Sequence, residues 1–246
     1  MENVFLTERG YEASLTAVAR DSFGAADRAD VVQRGRRVEI ADPRQQCYPA
    51  RMERAERLKR RATNEDLLDV PDHLVAEIVD GELFTTPRPA LRHAHASSTL
   101  GGELFAPFHL GRGGPGGWLI LDEPELHLQA DIVVPDLAGW RRTRLATVPD
   151  EPFLELAPDW VCEIVSPSTE RLDRVMKLDI YARESVGHVW LVNPIARTLE
   201  VYRLDGGQWI RVGTYGDDQI VHAVPFEVLA LDLLVLWGEE RDSSVP

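Results

Sequence analysis

The sequence predicts a domain of the α+β (mixed α/β) class, and two patterns support that prediction. Short apolar runs of strand length alternate with turn residues, and the turns at 80–81 and 205–207 have the Asp-Gly composition of β-hairpin loops. Two longer stretches with helical spacing of apolar residues, 92–110 and 169–184, lie between the strands. Strands, intervening helices and hairpins in one stretch of chain favour a mixed α and β domain.

The chain divides into three predicted regions. Residues 1–50 lack sustained periodicity and are predicted to be a weakly ordered N-terminal extension. Residues 51–62 combine helix formers with alternating charge, which predicts a charged helix or linker. Residues 63–240 carry the strand and helix patterns and form the predicted working domain, whose length is sufficient to bury a core.

The composition is that of a soluble globular protein, with 44% hydrophobic and 28% charged residues. The longest nearly apolar run, near Val228 to Trp237, is too short to span a bilayer and contains Asp232. The N-terminus has no basic-then-apolar signal pattern, and two cysteines give no disulfide framework. We therefore expect a cytoplasmic protein.

The charge is unevenly distributed along the chain. Residues 1–62 carry a net charge of +3, whereas residues 63–246 carry −17. An acidic domain argues against a broad nonspecific nucleic-acid surface, which needs clustered basic residues. Of the 27 basic residues, 25 are arginine, and the lysine at position 177 therefore indicates that a compact ammonium is required there.

The elements of the first half follow from local signals. Thr63 or Asn64 is a suitable cap for a short helix that ends at Leu68. Residues 73–87 read as a hairpin, and residues 92–110 as a helix whose later turns are weakened by glycines and Pro107. The helix places four apolar residues on one stripe: Ala96, Leu100, Leu104 and Phe108. The glycine-rich connection at 111–117 lacks the Gly-Lys-Ser/Thr ending of a phosphate-binding loop.

The second half alternates strands, a loop and one helix. Short strands are predicted within 118–128 and 131–140, followed by a proline-containing loop over 141–159. A strand at 160–165 leads into the helix at 169–184, whose apolar stripe is Leu172, Val175, Met176 and Ile180. A strand at 188–194, a hairpin at 198–215 and a last apolar segment at 224–240 complete the domain.

Three acidic residues occupy strand positions, namely Glu77, Asp136 and Glu163. A carboxylate in a buried strand is costly unless it is paired or binds something. Mg²⁺ prefers oxygen ligands and takes one or two carboxylates with waters. If Asp136 and Glu163 lie on neighbouring strands, they form a metal site that activates water for attack on a phosphodiester, and Lys177 would assist.

Each of these residues also has a structural interpretation. Asp136 follows Pro135 and is a common turn residue, while Glu77 and Glu163 have the pattern of residues on a solvated sheet face. Lys177 lies off the apolar stripe of its helix, which predicts a solvated side chain. Neither a zinc-binding spacing of His and Cys nor a Gly-x-Ser-x-Gly serine hydrolase motif occurs.

Residues 64–237 resemble the Uma-two family of endonucleases, a branch of the PD-(D/E)XK restriction-endonuclease-like superfamily. The most specific match is EIVSPST followed by D-x-x-x-K-x-x-x-Y; further segments are EIVDGEL, RPALRHAHAS, LDEPELHL, DIVVPDLAGW and VWLVNP. The resemblance implies a restriction-endonuclease-like core, in which helices flank a central mixed β-sheet.

The resemblance also implies roles for individual residues. Asp136 matches the Asp of the PD element and Glu163 the acid of the (D/E)XK strand, where Val165 replaces the lysine. Lys177 matches the family's lysine on the following helix. Glu77 and the main-chain carbonyl of Ile164 are expected to complete the metal site.

The function implied by the resemblance is Mg²⁺- or Mn²⁺-dependent hydrolysis of DNA phosphodiesters by a homodimer. Two alternatives remain open on the same residues. One is a noncatalytic interaction or regulatory protein, which the acidic domain favours. The other is a hydrolase of a different phosphoester, because a fold does not fix the substrate.

Overall fold

The computed structural model describes residues 60–241 and two short strands at 31–33 and 36–38. The chain divides into two compact units, residues 1–48 and 49–246. In the first unit, β1 (Val31–Gln33) pairs antiparallel with β2 (Arg36–Val38). The rest of the predicted extension at 1–50 lies outside the described residues. Of the predicted helix or linker at 51–62, only residues 60–62 are described.

The main sheet of the second unit is six-stranded, with the order β12-β11-β10-β9-β8-β5. Strands β9 and β10 are parallel and the other pairs are antiparallel, so the sheet is mixed. The parallel pair is joined through a helix, as parallel pairing requires. The strands are β5 (Trp118–Asp122), β8 (Leu137–Arg141), β9 (Trp160–Ile164), β10 (His188–Asn193), β11 (Thr198–Asp205) and β12 (Gln208–Gly216).

A second, four-stranded antiparallel sheet has the order β4-β3-β7-β6. Its strands are β3 (Leu74–Val79), β4 (Glu82–Pro87), β6 (Leu126–Leu128) and β7 (Asp131–Val133). The hairpin predicted at 80–81 is confirmed, and both turn residues have positive φ, 52° for Asp80 and 80° for Gly81. Residues 134–136 carry the chain from β7 into β8 and thus from one sheet to the other.

The remaining elements are helices and a short C-terminal pair of strands. The predicted cap of α1 (Asn64–Leu68) is confirmed, since the Thr63 N–H donates to Asp66 Oδ2 at 2.7 Å. Strands β13 (Ile220–Val221) and β14 (Leu231–Asp232) pair antiparallel before a 3₁₀ turn at Leu233–Trp237. No helix among the described residues is both long and apolar enough to cross a membrane.

Helix α2 (Leu91–Leu104) continues into a π-helical turn at Phe105–His109. The predicted stripe is confirmed, because Ala96, Leu100, Leu104 and Phe108 are all buried. Pro107 lacks the N–H that an α-helical bond needs, which accounts for the widened turn at the end of the helix.

The helix between β9 and β10 differs from its periodicity-based prediction. It begins with a π-helical segment, Leu172–Lys177, and continues as α3 (Leu178–Arg183). Val175, predicted on the apolar stripe, is 53% exposed, whereas Lys177, predicted to be solvated, is 2% exposed. The prediction was wrong because π-helical bonds run from i to i+5, which changes the residues that share a face.

Apolar side chains cover both faces of the main sheet, so its central strands are buried on both sides. Along β9, Trp160, Cys162 and Ile164 pack on the side of α2, while Val161 and Val165 pack on the side of α3. Since neighbouring strand residues point to opposite faces, Glu163 shares the α3 face with Val161. The fold thus places a carboxylate in an apolar layer.

Candidate active site

Acidic side chains from both sheets meet on the α3 side of the main sheet, and a further acid lies in the connection between the two sheets. Glu163 comes from β9. Glu77 comes from β3, where it lies two residues before the buried Val79 and on the same face of the strand. Asp136 ends the connection at 134–136 and precedes β8. Glu77 and Glu163 are almost completely buried. Of the two alternatives that the sequence left open for these residues, burial excludes a solvated sheet face.

Lys177 reaches into this group from the π-helical segment. Its Nζ lies 2.8 Å from Glu77 Oε1 and 3.1 Å from Glu163 Oε1, and its longer contacts are 3.8 Å to Asp173 Oδ1 and 3.4 Å to the Val134 carbonyl. A single ammonium thus bridges carboxylates from two sheets and from its own helix. This arrangement explains why a lysine occupies the position in an arginine-rich chain, because a point charge fits where a planar guanidinium would not.

Hydrogen bonds fix the orientation of the carboxylates. The Val134 N–H donates to Glu77 Oε1 at 2.8 Å, and the Tyr181 hydroxyl donates to Glu163 Oε1 at 2.5 Å. The Ile164 N–H donates to Asp136 Oδ2 at 2.6 Å, which links Asp136 to the strand that carries Glu163. The three acids are therefore held by neighbouring backbone or side-chain donors.

Burial dominates the electrostatics of the group. Burial raises the pKa of Glu163 well above its usual range, and the Lys177 ammonium offsets only part of this effect. For Lys177, burial lowers the pKa, but attraction to Glu163 and Glu77 outweighs it and holds the pKa well above the usual range. Burial also raises the pKa of Asp173 to about 6. Lys177 is consequently an ammonium throughout the physiological pH range.

The substitution Asp173→Asn is expected to stabilise the metal-free protein. With a pKa of 3.8 when unfolded and about 6 when folded, Asp173 keeps its proton to a higher pH in the folded state. The free energy of unfolding therefore falls as pH rises from the unfolded pKa to the folded pKa, and the total loss above the folded pKa is about 3 kcal/mol. Urea unfolding in EDTA should show the variant about 3 kcal/mol more stable at about pH 7.5, with the difference shrinking towards pH 4.

The control for this substitution is Asp179→Asn, which changes an exposed carboxyl on the same helix. It should leave the unfolding curve nearly unchanged at both pH values. An Asp173→Asn variant that is no more stable than the wild type at the higher pH would contradict this prediction, because it would show that burial of the charged carboxylate has no net cost.

Further polar residues lie on the other side of Asp136. Asp122 ends β5 and forms a hydrogen bond with Ser97 of α2. His93 lies one turn before Ser97 on the same helix, and its Nε2 is 3.2 Å from Asp136 Oδ1. Burial raises the pKa of Asp122 and of Glu123, and the Asp136 carboxylate raises both further. Acidic groups therefore surround Asp136 on both sides.

The donor set suits a divalent cation of the Mg²⁺ type. Glu77, Glu163 and Asp173 surround one ammonium, and the nearby Asp136 carboxylate helps to raise the pKa of Glu163 and Asp173. A bound cation would favour the charged forms of these carboxylates. Within residues 60–241, no group of three or more His, Cys, Asp or Glu side chains is arranged as a ready-made metal site. Mg²⁺ does not need one, because it keeps several waters and binds one or two carboxylates.

Three residues of the site were not among the predicted site residues: His93, Asp173 and Tyr181. A signal for two of them was present in the spacing D-x-x-x-K-x-x-x-Y, which spans Asp173, Lys177 and Tyr181. All three residues of that spacing are buried and face the carboxylates. His93 has no comparable sequence signal, because its contact depends on how α2 packs.

Comparison with known proteins gives one family and one fold. The family model Uma2, described as "Putative restriction endonuclease", matches residues 64–233. A crystal structure described as "a putative nuclease belonging to DUF820 from Anabaena variabilis" is similar with a TM-score of 0.60 and 20% identity, over 72% of this chain and 98% of that chain. A comparison with curated proteins gives no match.

The structural similarity confirms the predicted fold class, an α+β domain with a central mixed sheet and the restriction-endonuclease-like core. The family model covers more than two thirds of the chain, including Glu77, Asp136, Glu163 and Lys177. The protein therefore belongs to the Uma2 (Uma-two) family, as its motifs indicated.

Proposed function

We propose that this protein is a Mg²⁺- or Mn²⁺-dependent endonuclease that hydrolyses DNA phosphodiester bonds. The observation that carries the proposal is the Lys177 ammonium, which is buried between Glu77 and Glu163 and next to Asp173. Removing such charges from water has a penalty of several kcal/mol per ion, and apolar residues in their place are often at least as stable. A core that retains this cluster in spite of the penalty fits a chemical role better than a structural one.

The residues proposed to hold the cation are Asp136, Glu163 and the main-chain carbonyl of Ile164, with Glu77 in support. Hydrogen bonds occupy one oxygen of Glu163 and one of Glu77, which leaves acceptor sites on both carboxylates. When bound, a divalent cation supplies a water of lowered pKa and offsets charge that develops on the phosphodiester. The family's description as a restriction endonuclease supports this assignment.

Lys177 is proposed to act as a hydrogen-bond donor beside the attacking water. Its raised pKa keeps it protonated, so it orients the water and stabilises developing negative charge rather than accepting a proton. The Tyr181 hydroxyl and the Val134 N–H hold the two glutamates against which Lys177 rests. Catalysis of this kind depends on preorganised donors, which the buried hydrogen bonds provide.

DNA as the substrate is supported by the family and by exposed arginines near the site. Arg88 and Arg92 flank the start of α2, next to His93, and neither forms an ion pair or hydrogen bond within residues 60–241. Arg88 acts on the Glu123 carboxyl, which places it on the Asp136 side of the site. Exposed arginines are available for phosphate contacts, even on a domain that is acidic overall. A homodimer is proposed from the resemblance alone.

Plasmid cleavage tests the proposal. The wild-type protein should relax or linearise supercoiled DNA with Mg²⁺ or Mn²⁺, and EDTA should stop the reaction. Asp136→Ala and Glu163→Ala should each reduce the rate by at least about 10³-fold, because several kcal/mol of transition-state stabilisation is removed. The control is Asp150→Ala, an exposed acid in the loop between β8 and β9.

Cleavage that is unchanged in both site variants would contradict the proposal. Hydrolysis of a small phosphodiester without DNA cleavage would indicate a hydrolase of another phosphoester. A protein that binds neither metal nor DNA and cleaves neither substrate would indicate a noncatalytic member of the family.

A further inference from the structure

We propose that His93 is a positioning residue for Asp136, whose carboxylate it holds in the orientation that binds the divalent cation. This inference rests on the proposed function, since it assigns the side chain that orients one of the proposed ligands. It concerns His93 on α2, a residue outside the cluster of acids and lysine described above.

The contact between the two side chains is direct and fixes the position of a proton. His93 Nε2 lies 3.2 Å from Asp136 Oδ1. A carboxylate only accepts hydrogen bonds, so Nε2 carries the hydrogen that it donates. The other ring nitrogen, Nδ1, is buried and has no hydrogen-bond partner within the described residues. The bond to Asp136 is therefore the interaction that orients the ring.

Asp136 is held by one donor on each oxygen. The Ile164 N–H of β9 occupies Oδ2 at 2.6 Å, and His93 of α2 occupies Oδ1. Two donors from different elements determine the plane of the carboxylate, which a single hydrogen bond would leave free to rotate. A carboxylate has about four acceptor sites, so about two remain for a cation.

A positioning residue is needed because Asp136 lies outside the strands. It belongs to the connection at 134–136, where no strand pairing fixes the side chain. The Glu123 N–H donates to the Asp136 carbonyl at 3.1 Å and restrains the backbone, but not the carboxylate. His93 supplies the missing restraint, as partners of metal ligands commonly do.

Helix α2 presents His93 from a rigid support. Ala96 and Leu100 of the same helix are buried in the core, and Ser97, one turn after His93, hydrogen-bonds to Asp122. His93 and Ser97 therefore form a polar face of α2, from which His93 contacts Asp136 and Ser97 contacts Asp122. The His93 side chain is only 15% exposed, in contrast to the neighbouring Arg92.

Calorimetric titration with Mn²⁺ tests the assignment without measuring cleavage. His93→Leu keeps an apolar side chain of similar size but removes the donor, and His93→Ala removes the donor with less bulk. Each should weaken Mn²⁺ binding by about 10–100-fold, the usual effect of losing a partner of a metal ligand. His93→Gln places an amide N–H near the position of Nε2 and should restore most of the affinity.

The matched control is His222→Leu, an exposed histidine on the C-terminal segment, which should bind Mn²⁺ like the wild type. Affinity within about twofold of the wild type in His93→Leu or His93→Ala would overturn the positioning role, because the loss expected for such a partner is at least tenfold. A His93→Gln variant as weak as His93→Leu would also overturn it. A wild-type protein that binds no Mn²⁺ would instead overturn the proposed function, and this assignment with it.

Discussion

Lys177→Met is expected to lower the free energy of unfolding by about 3–5 kcal/mol near neutral pH, the usual effect of breaking a buried ion pair. Methionine fits the space of the lysine stem, so the loss comes from the charge. Without the ammonium, Glu77 and Glu163 lose contacts of 2.8 and 3.1 Å and remain buried as uncompensated acids. This is the largest stability effect that we expect from a single substitution in the site.

The loss should depend on pH in a defined direction. Lys177 lowers the pKa of both Glu163 and Asp173, so its removal raises the pKa of each further above the unfolded value. The folded variant then binds more protons than the unfolded chain, and its stability falls more steeply than that of the wild type as pH rises. The difference between variant and wild type should therefore be smaller at about pH 5 than at about pH 7.5.

Urea unfolding in EDTA at the two pH values measures this difference. Arg171→Met is the control, because Arg171 is an exposed cation that precedes Asp173 and makes no ion pair within residues 60–241. A Lys177→Met variant as stable as its control at the higher pH would mean that the buried acids do not depend on the ammonium.

Glu163→Gln is expected to abolish cleavage while leaving the fold intact. The amide keeps the size of the carboxyl and can still accept the Tyr181 hydrogen bond, but it is a poor ligand for Mg²⁺. We expect the rate of metal-dependent DNA cleavage to fall by at least about 10³-fold, as for loss of several kcal/mol of metal-assisted stabilisation.

The same substitution should not destabilise the metal-free protein. Because burial raises the pKa of Glu163, the folded state disfavours its charged form, and above the unfolded pKa that preference lowers stability. A neutral side chain removes this effect. Glu103→Gln on the exposed side of α2 is the matched control for both measurements. Full cleavage activity in Glu163→Gln would be incompatible with its proposed role.

Local signals were sufficient to predict much of the fold. The turn at Asp80–Gly81, the cap at Thr63 and the stripe from Ala96 to Phe108 each depend on residues close in sequence, and all three predictions are confirmed. These features, and the α+β class that followed from the order of strand and helix patterns, depend on backbone preferences and periodicity, which a single sequence displays directly. The central mixed sheet was implied by the family resemblance, and it is confirmed.

The site was only partly predictable, because it depends on helix geometry and on contacts between residues that are distant in sequence. Periodicity left Glu163 undecided, because an acid within an apolar strand fits either a solvated face or a site. Periodicity placed Lys177 at the surface, because it assumes α-helical geometry where the chain forms a π-helical segment. The rarity of lysine and the family motif indicated Lys177 instead. The contact between His93 and Asp136 joins a helix to a connection that is distant in sequence, and only the packing of α2 creates it.

The proposed function of the cluster and the stability of the metal-free fold are expected to oppose each other. Glu163 and Asp173 are held in surroundings that raise the pKa of both, so neutral substitutes are expected to give a more stable metal-free fold. A bound cation would reverse that preference, because it favours the charged forms of the carboxylates. Stability in the presence and absence of Mn²⁺ should therefore differ more for the wild type than for Glu163→Gln.

The central claim is that Asp136 and Glu163 hold a divalent cation beside Lys177. Calorimetric titration of the wild type and Glu163→Gln with Mn²⁺, under identical conditions, measures it most directly. We predict a saturable binding event in the wild type that is absent or at least about tenfold weaker in the variant, because one of two carboxylate ligands is lost. Equal affinity and equal heat in both proteins would contradict the claim.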